Sequence, residues 1–378
     1  MSIFNRQRIV IAITSMIIAV PFFVTAQVPA EETFEARVTQ VLAEKTIDRP
    51  NGSQAVQQDL KLNGLTGAWK GRDIEVSGVS AVEVVSANRF QLHDRVLVNH
   101  SIGPDNQDVF YVVDYVRSGY LYALAALFIA IIIWVGRRKG IKALLGLGIS
   151  FLVIMGLIVP QILAGRNPVL VGIVGSFLIL MSVIYIAEGF NRKANIAAAS
   201  ISIVLIITAL LALLFTSLAR LTGLAQEEAT YLVGIGSQVI DFRGLLLTSF
   251  LIGILGVLDD LVISQIETVE QLHKANHDLS RRRLFKLAFN VGNSHLAAVV
   301  NTLFLAYTGA ALPLLLLFGL HDASSQSFAQ IINTELIATE IVRTLVGSIG
   351  LALAVPIATF FAVHYSTVPV KAPEPVQL

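Results

Sequence analysis

The chain contains, at residues 168–187, the apolar run Pro-Val-Leu-Val-Gly-Ile-Val-Gly-Ser-Phe-Leu-Ile-Leu-Met-Ser-Val-Ile-Tyr-Ile-Ala, in which no side chain is charged. A helix rises about 1.5 Å per residue and the hydrocarbon core of a bilayer is about 30 Å thick, so about 20 apolar residues cross it. Basic residues flank the run at Arg166 and Arg192. The stretch therefore predicts a transmembrane helix.

Other runs along the chain have a similar composition. They lie at residues 8–26, 119–136, 141–163, 196–218, 244–264, 288–318 and 341–363. Of the 378 residues, 55% are hydrophobic and only 14% are charged, whereas soluble domains carry roughly a quarter charged residues. We therefore predict an α-helical polytopic membrane bundle of about eight transmembrane helices, with residues 119–363 as its main helical domain.

The first run has two interpretations. Arg6 and Arg8 precede a short apolar stretch, and Val24-Thr25-Ala26 resembles a signal-peptidase site. Residues 1–26 are therefore either a signal anchor that stays in the membrane or a signal peptide that is removed. The predicted topology of the later spans is the same in both cases.

Lysine and arginine residues set the orientation of membrane helices, because they collect on the cytoplasmic side. With the N-terminus placed in the cytoplasm, the connections on that side hold most of the basic residues near the spans. These are Arg6 and Arg8; Arg137, Arg138, Lys139 and Lys142; Arg192 and Lys193; Lys274, Arg281, Arg282, Arg283 and Lys286; and Lys371. This pattern predicts that residues 27–118 lie outside the cytoplasm and that the tail 364–378 lies inside.

Residues 27–118 have the pattern of a small β domain. Apolar and polar residues alternate in stretches that end at glycine-containing turns such as Asn51-Gly52 and Asn63-Gly64. The predicted strands include 34–41, 73–76, 95–98 and, in part, 109–113. About five short strands in this length favour a barrel of the OB or SH3 type. Because basic and aromatic residues are not interleaved here, the domain is interpreted as a docking or packing module that does not bind nucleic acid.

Acidic residues interrupt the predicted span 244–264 near its cytoplasmic end. Asp259 and Asp260 are adjacent, a little over one turn from that end. Because charged groups are costly inside a membrane, each one is a default functional candidate. The pair is interpreted as a cation or proton site, or alternatively as a helix cap or an ion-pair partner.

Polar residues also follow the predicted span 288–318. At 100° per residue, Asn290, Asn301 and Thr308 lie within about 20° of one another, and Asn293 lies about 60° away. Such a stripe either lines an ion or solute pathway or makes hydrogen bonds to neighbouring helices. His295 lies off the stripe and is a possible proton relay or a packing residue.

The same span is too long for a straight crossing. A helix over 288–318 would run more than about 45 Å at 1.5 Å per residue, which exceeds the hydrocarbon core. The span must therefore tilt or break, and residues 308–313, which end in Pro313, are the favoured point. Broken helices recur at transporter binding sites, although a kink without a function is an equal alternative.

Glu340 and Arg343 begin the last predicted span. Their i, i+3 spacing predicts a structural ion pair on one helix face. Small residues follow at Gly347, Gly350, Ala354 and Ala358. These are expected to let a neighbouring helix approach closely.

Several classes of function have no support in the sequence. The chain has no cysteine and no GxxxxGK[ST], HExxH or GxSxG motif. Its net charge is +1, so no strong overall field points to nucleic acid. We therefore expect a protein that is not an enzyme and uses no metal or other cofactor.

Three stretches resemble the YibE/F-like family of bacterial membrane proteins. They are 256–260, 300–318 and 342–356, and the N-terminal anchor and β-rich domain fit the resemblance. Members of the family often carry Gly-Arg-Asp-His before the asparagine motif, whereas this chain has Gly292-Asn-Ser-His295. The resemblance implies a bacterial inner-membrane protein, and transport is commonly supposed for this family. If the Arg-Asp pair carries the family's activity, that activity is weakened or altered in this chain, which lacks the pair.

Two functions remain open at this point. The first is a transporter or channel for an ion or small solute, working through Asp259, Asp260 and the asparagine stripe. The second is a non-catalytic accessory or assembly protein that docks a membrane or extracytoplasmic partner through its β domain. The sequence identifies the lipid bilayer as a partner and leaves the solute, the oligomeric state and any protein partner open.

Overall fold

The computed structural model describes residues 32–48, 54–77, 89–103, 106–225, 227–235, 240–320 and 327–365. The predicted span 8–26 with its cleavage site, the turn at Asn51-Gly52 and nearly all of the tail 364–378 lie outside these ranges. The described residues fall into two compact units, which divide between Ile132 and Ile133. The domain boundaries at 26, 118 and 363 remain predictions.

The first unit contains a five-stranded antiparallel sheet that forms a half-barrel. Its strands are β1 (Glu32–Asp48), β2 (Gln54–Gly64), β3 (Asp73–Ser77), β4 (Arg95–Ile102) and β5 (Asp108–Tyr115). Their order in the sheet is β3-β2-β1-β4-β5, and the two outer strands β3 and β5 also contact each other. The four predicted strands lie within β1, β3, β4 and β5, whereas the prediction did not include β2.

Alternation along the strands explains the sheet, because successive side chains point to opposite faces. Every second residue of β1 from Phe34 to Val38 is buried, and the other strands contribute in the same way. The buried set is Phe34, Ala36, Val38, Leu60, Leu62, Ile74, Val76, Phe90, Val96 and Val98. One face of the sheet therefore forms the core of this unit.

The first strand is longer than the predicted 34–41, and the second strand, which was not predicted, is also long. Strand β1 has 17 residues and β2 has 11, because two register irregularities bend β1 so that it pairs with both β2 and β4. The predicted turn at Asn63-Gly64 is instead the end of β2. A Cβ atom at Gly64 would lie 2.0 Å from the carbonyl oxygen of Trp69, so this close approach requires glycine.

The second unit is a bundle of helices, and residues from Ile133 onward of the first helix in the described ranges belong to it. The helices are α1 (Ser118–Val153), α2 (Val159–Leu163), α3 (Pro168–Glu188), α4 (Arg192–Leu218), α5 (Glu227–Ile235), α6 (Phe242–Ala275), α7 (Arg281–Ala310), α8 (Leu312–Leu320), α9 (Phe328–Ile332) and α10 (Glu335–Tyr365). A π-helical turn at Ile154–Ile158 joins α1 to α2.

Five helical stretches in the described ranges are long and apolar enough to cross a membrane. They are Ser118–Leu163, α3, α4, α6 and α10. The predicted spans 119–136 and 141–163 both fall in the first of these, where the expected loop is reduced to a break at Arg137, with φ 47° and ψ −125°. A membrane bundle is therefore supported, but a set of eight spans is not established.

The predicted span 288–318 is broken, which was one of the two alternatives, tilt or break, that its length predicted. Helix α7 ends at Ala310 and α8 begins at Leu312. Pro313 lacks the N–H that would continue the ladder of hydrogen bonds. The asparagines lower the mean hydropathy of α7, which is not among the five apolar stretches.

Helices α6 and α10 form the centre of the bundle. Helix α6 contacts α3, α4, α7 and α10, and α10 also contacts α4 and α7. Small residues on α10 permit this packing, as expected. A Cβ atom at Gly350 would lie 2.4 Å from Oγ1 of Thr208 on α4 and 2.9 Å from Cδ1 of Ile254 on α6.

Candidate functional site

Asp259 lies in the interior of α6, on the side that faces α1 and α3. Asp241 caps the start of this helix, because its side chain accepts a hydrogen bond from the backbone N–H of Gly244 at 3.0 Å. The Oδ1 atom of Asp259 is buried and has no hydrogen-bond partner among the described residues. A buried carboxylate oxygen without a partner is costly. The neighbouring Asp260 is exposed.

Both aspartates line a cavity of about 660 Å³ between α1, α3 and α6. Gly256 leaves room at its wall, since nothing lies within 4 Å of the position of a Cβ atom there. Most of the wall is apolar. The polar and charged residues that line it are Lys142, Ser150, Glu188, Asp259 and Asp260.

Carboxylate groups outnumber ammonium groups in the lining of this cavity. Glu188, Asp259 and Asp260 supply carboxylates, and Lys142 supplies the one ammonium group among the described lining residues. The Nζ atom of Lys142 donates a hydrogen bond to the backbone oxygen of Ala187 at 3.0 Å. The cavity therefore carries excess negative charge, which attracts cations and protons.

A tightly coordinated metal ion does not match this arrangement. Within the described ranges, no three or more His, Cys, Asp or Glu side chains are grouped so that they could hold a metal ion. The ligand sphere of a dehydrated divalent cation needs about six oxygen atoms. The observed lining is an excess of carboxylates over ammonium groups, which favours positively charged species in general.

Lys193 connects the cavity wall to Glu267 on α6. Its Nζ atom lies 3.2 Å from Oε2 of Glu188 and also contacts Oε2 of Glu267. The hydroxyl of Tyr185 donates to Oδ1 of Asn195 at 3.0 Å in the same region. These contacts join the end of α3, the start of α4 and α6, and Glu188 takes part both in them and in the cavity.

A buried amide joins α6 to α7 and α10 on another side of α6. Gln265 is 3% exposed. Its Nε2 atom donates to the backbone oxygen of Ala288 on α7 at 2.9 Å and to Oγ1 of Thr359 on α10 at 2.7 Å. A Cβ atom at Gly292 would lie 2.3 Å from Oε1 of Gln265, so glycine on α7 makes room for the amide.

The asparagine stripe of α7 does not point into the bundle. Asn290, Asn293 and Asn301 are exposed, and their amide groups make no hydrogen bond to another described residue. Thr308 is half-buried and lines a smaller pocket of about 260 Å³. None of these residues lines the Asp259 cavity, so the two predicted parts of the pathway are not brought together.

His295 is exposed on α7 and does not line the Asp259 cavity. Its ring makes no hydrogen bond to a carboxylate or hydroxyl group of the described residues. The adjacent hydroxyl of Ser294 donates instead to the backbone oxygen of Asn290 at 3.1 Å. A proton-relay role remains a prediction.

Glu340 and Arg343 form a close pair at the start of α10. The Nη1 atom of Arg343 lies 2.9 Å from Oε1 of Glu340. The guanidinium also lies over the rings of Phe250, at 5.2 Å, and Tyr307, at 5.8 Å. These cation–π contacts place Arg343 between α6 and α7, at the pocket that Thr308 lines and away from Asp259.

Three residues at the site were not predicted from the sequence. They are Lys142, Glu188 and Lys193. Each lies at the end of a predicted span, where Lys142 and Lys193 were interpreted only as determinants of orientation. A carboxylate at position 188, close to the basic pair 192–193, was the available signal. It predicts a local pair but does not indicate that residues of α1, α3 and α6 line a common cavity there.

The apolar helices and the charged cavity at α6 define a helical membrane protein that also carries a half-barrel sheet. The chain belongs to the family described as YibE/F-like protein, whose family model matches residues 124–367. This match confirms the resemblance found in the sequence, and it begins after the sheet. No curated protein and no solved structure matches the chain.

Proposed function

We propose that this protein transports a cation or protons, with the cavity at Asp259 as the binding site. The observation that carries the proposal is the buried, unpartnered Oδ1 atom of Asp259 in a cavity with excess carboxylates. A bound proton or cation would supply the missing partner. A polar group that is kept at such cost inside a membrane helix is expected to serve function.

The charged neighbours of Asp259 have separate roles in this proposal. Asp260 is exposed and serves as the entry group that attracts the cation. Glu188 adds negative charge to the cavity wall while Lys193 holds it. Lys142, which donates to the backbone oxygen of Ala187, limits the excess negative charge of the cavity.

The asparagines of α7 are not part of the primary binding site in this proposal. They lie outside the Asp259 cavity, so Asn290, Asn293 and Asn301 serve as a pathway lining only where other protein or water covers them. Thr308 and the break at Ala311 belong to the separate pocket beside Glu340. The cavity is therefore the primary site.

We place the protein in the bacterial inner membrane as a multi-pass protein, with both termini in the cytoplasm and residues 27–118 outside. The basic residues between the spans support this orientation. The strand order β3-β2-β1-β4-β5, with β3 touching β5, supports an OB-type barrel for the outer domain. A module of this kind is suited to docking a partner, which is the accessory function that competes with transport.

Flux measurements separate the two functions. Purified protein in liposomes is screened for proton and monovalent-cation flux, with Asp259→Asn/Asp260→Asn as the test variant. Asp278→Asn is the matched control, because Asp278 is an exposed acid that does not line the cavity. We expect flux in the wild type and the control, with loss in the double variant. Absence of wild-type flux, or flux that the double variant keeps, would reject transport through Asp259.

A further inference from the structure

Helix α7 has one face that packs against the bundle. Its buried residues are Leu284, Ala288, Gly292 and Leu303. At 100° per residue they fall within about 100° of arc. The contact of Gly292 with Gln265 and Val355, at 2.3 Å and 2.7 Å from a Cβ position, fixes the rotation of the helix about its axis.

The opposite face of α7 carries the asparagines. Asn290 and Asn301 lie about 160° and 180° from Gly292 around the helix, and both are exposed. Asn293 is exposed as well, about 100° from Gly292. We call Asn290, Asn293, Ala297 and Asn301 the outer face of α7. It faces away from the neighbours that α7 has in the described part of the chain.

The outer face has unmet hydrogen-bonding capacity. Nearby hydroxyls are satisfied within the helix, because Ser294 donates to the oxygen of Asn290 and Thr302 to that of Ala298 at 2.9 Å. The amides of Asn290 and Asn301 have no such bond among the described residues, and the two residues are about 16 Å apart along the axis. Lipid chains offer no hydrogen bonds, so protein or water must cover these amides.

We propose that a second copy of this chain covers the outer face, so that the protein self-associates through α7. An asparagine amide both donates and accepts, so the same residue on two copies can pair across a twofold axis. The helix carries no Asp, Glu, Lys or Arg between Lys286 and Ala310. Two such faces therefore meet without charge repulsion.

The spacing of the outer face is suited to a pair of helices. Asn290, Ala297 and Asn301 follow one another at intervals of 7 and 4 residues, which fits the repeat of a left-handed helix pair. Ala297 is small and exposed and lets the two backbones approach. A buried asparagine in such a seam also fixes the register of the pair.

Another segment of the same chain is a poorer partner. The predicted first span, residues 8–26, contains hydroxyls at Thr14, Ser15 and Thr25 but no asparagine or glutamine. It has no side-chain amide that could pair with those of Asn290 and Asn301 by hydrogen bonds. A second α7 offers the same amides at the same spacing, which is why we commit to self-association.

The chain contains no cysteine, so single cysteines report the contact directly. The full-length variant Ala297→Cys is oxidised in native membranes and run on a non-reducing gel. The matched control is Leu210→Cys, because Leu210 is 61% exposed on α4. We expect a disulfide-linked dimer from Ala297→Cys and monomer from Leu210→Cys.

A second variant tests the asparagines themselves. Adding Asn290→Leu and Asn301→Leu to Ala297→Cys should remove most of the dimer band, while the protein stays in the membrane at an unchanged level. Monomer from Ala297→Cys, or equal dimer from Leu210→Cys, would overturn the proposal. So would a bond within one chain in the variant Ser15→Cys/Ala297→Cys, since that result assigns the outer face to the first span.

Discussion

Lys193 lies 3.2 Å from Oε2 of Glu188, and Glu188 is also part of the wall of the Asp259 cavity. The same ammonium contacts Glu267 on α6. One lysine thus joins a carboxylate of the cavity to a carboxylate outside it. The functional and structural contributions of the two acids can therefore be separated.

Removing the charge of Glu188 should weaken cation uptake. Glu188→Gln takes one negative charge from the cavity, so we expect reduced flux in liposomes, with a smaller loss than in Asp259→Asn. Glu267→Gln is the control, because it also removes a partner of Lys193 but does not line the cavity. Equal losses in both variants would show that the contact with Lys193 matters and the cavity charge does not.

The buried amide of Gln265 should stabilise the bundle. Gln265→Leu leaves the oxygen of Ala288 without this donor and removes the bond to Thr359. We expect a loss of about 1–3 kcal/mol in the free energy of unfolding, seen as a lower thermal midpoint in detergent. The exposed Gln271 on the same helix is the control, and Gln271→Leu should change the midpoint little. A midpoint for Gln265→Leu equal to that of the wild type would contradict a stabilising role for these two hydrogen bonds.

Close helix packing should make Gly350 intolerant of a methyl group. A Cβ atom at this position meets Thr208 and Ile254, so Gly350→Ala should cost about 1–3 kcal/mol through overpacking. Gly148 is also helical but has nothing within 4 Å of a Cβ position. Gly148→Ala should therefore be neutral or slightly stabilising, and thermal unfolding compares the two. Equal midpoints would mean that α10 does not pack on α4 and α6 at this distance.

The half-barrel should depend on its own apolar core. Leu62 is fully buried, and Leu62→Ala should cost about 2–5 kcal/mol, whereas Leu42, which is 46% exposed, should tolerate alanine. The chain has two tryptophans, so Trp134→Phe leaves Trp69 as the fluorescent reporter of this unit. An unchanged denaturation curve for Leu62→Ala would place Leu62 outside the core.

Hydropathy and alternation allow much of the architecture to be predicted. Bilayer thickness fixes the length of apolar runs, so four predicted spans correspond to α3, α4, α6 and α10. The backbone chemistry of Pro313 marks the break after α7. These features depend on neighbouring residues alone, which is why the sequence reveals them.

Strand β2 was missed because a polar residue occupies an inward position. Gln58 is 7% exposed, and its amide accepts from the N–H of Phe90 at 2.8 Å and donates to the oxygen of Phe90 at 3.0 Å. The amide thus satisfies a backbone group of a distant segment. Such a contact interrupts the apolar alternation that the strand prediction relies on.

The candidate site depends on contacts between distant residues. Lys193 meets Glu267 across 74 positions, and Lys142 donates to the backbone oxygen of Ala187 across 45. The periodicity of α7 places its asparagines on one face, but the fit of Gly292 to Gln265 decides that this face points outward. A single sequence does not contain such pairings.

Labelling with a hydrophobic carbodiimide tests the central claim most directly, because this reagent modifies protonated carboxyl groups within membranes. Protein in membranes is treated, digested and analysed by mass spectrometry. The account predicts modification at Asp259 that falls as pH or the concentration of the transported cation rises, with no such dependence at Asp278. An Asp259 that is never modified, or whose modification ignores both protons and cations, would contradict the account.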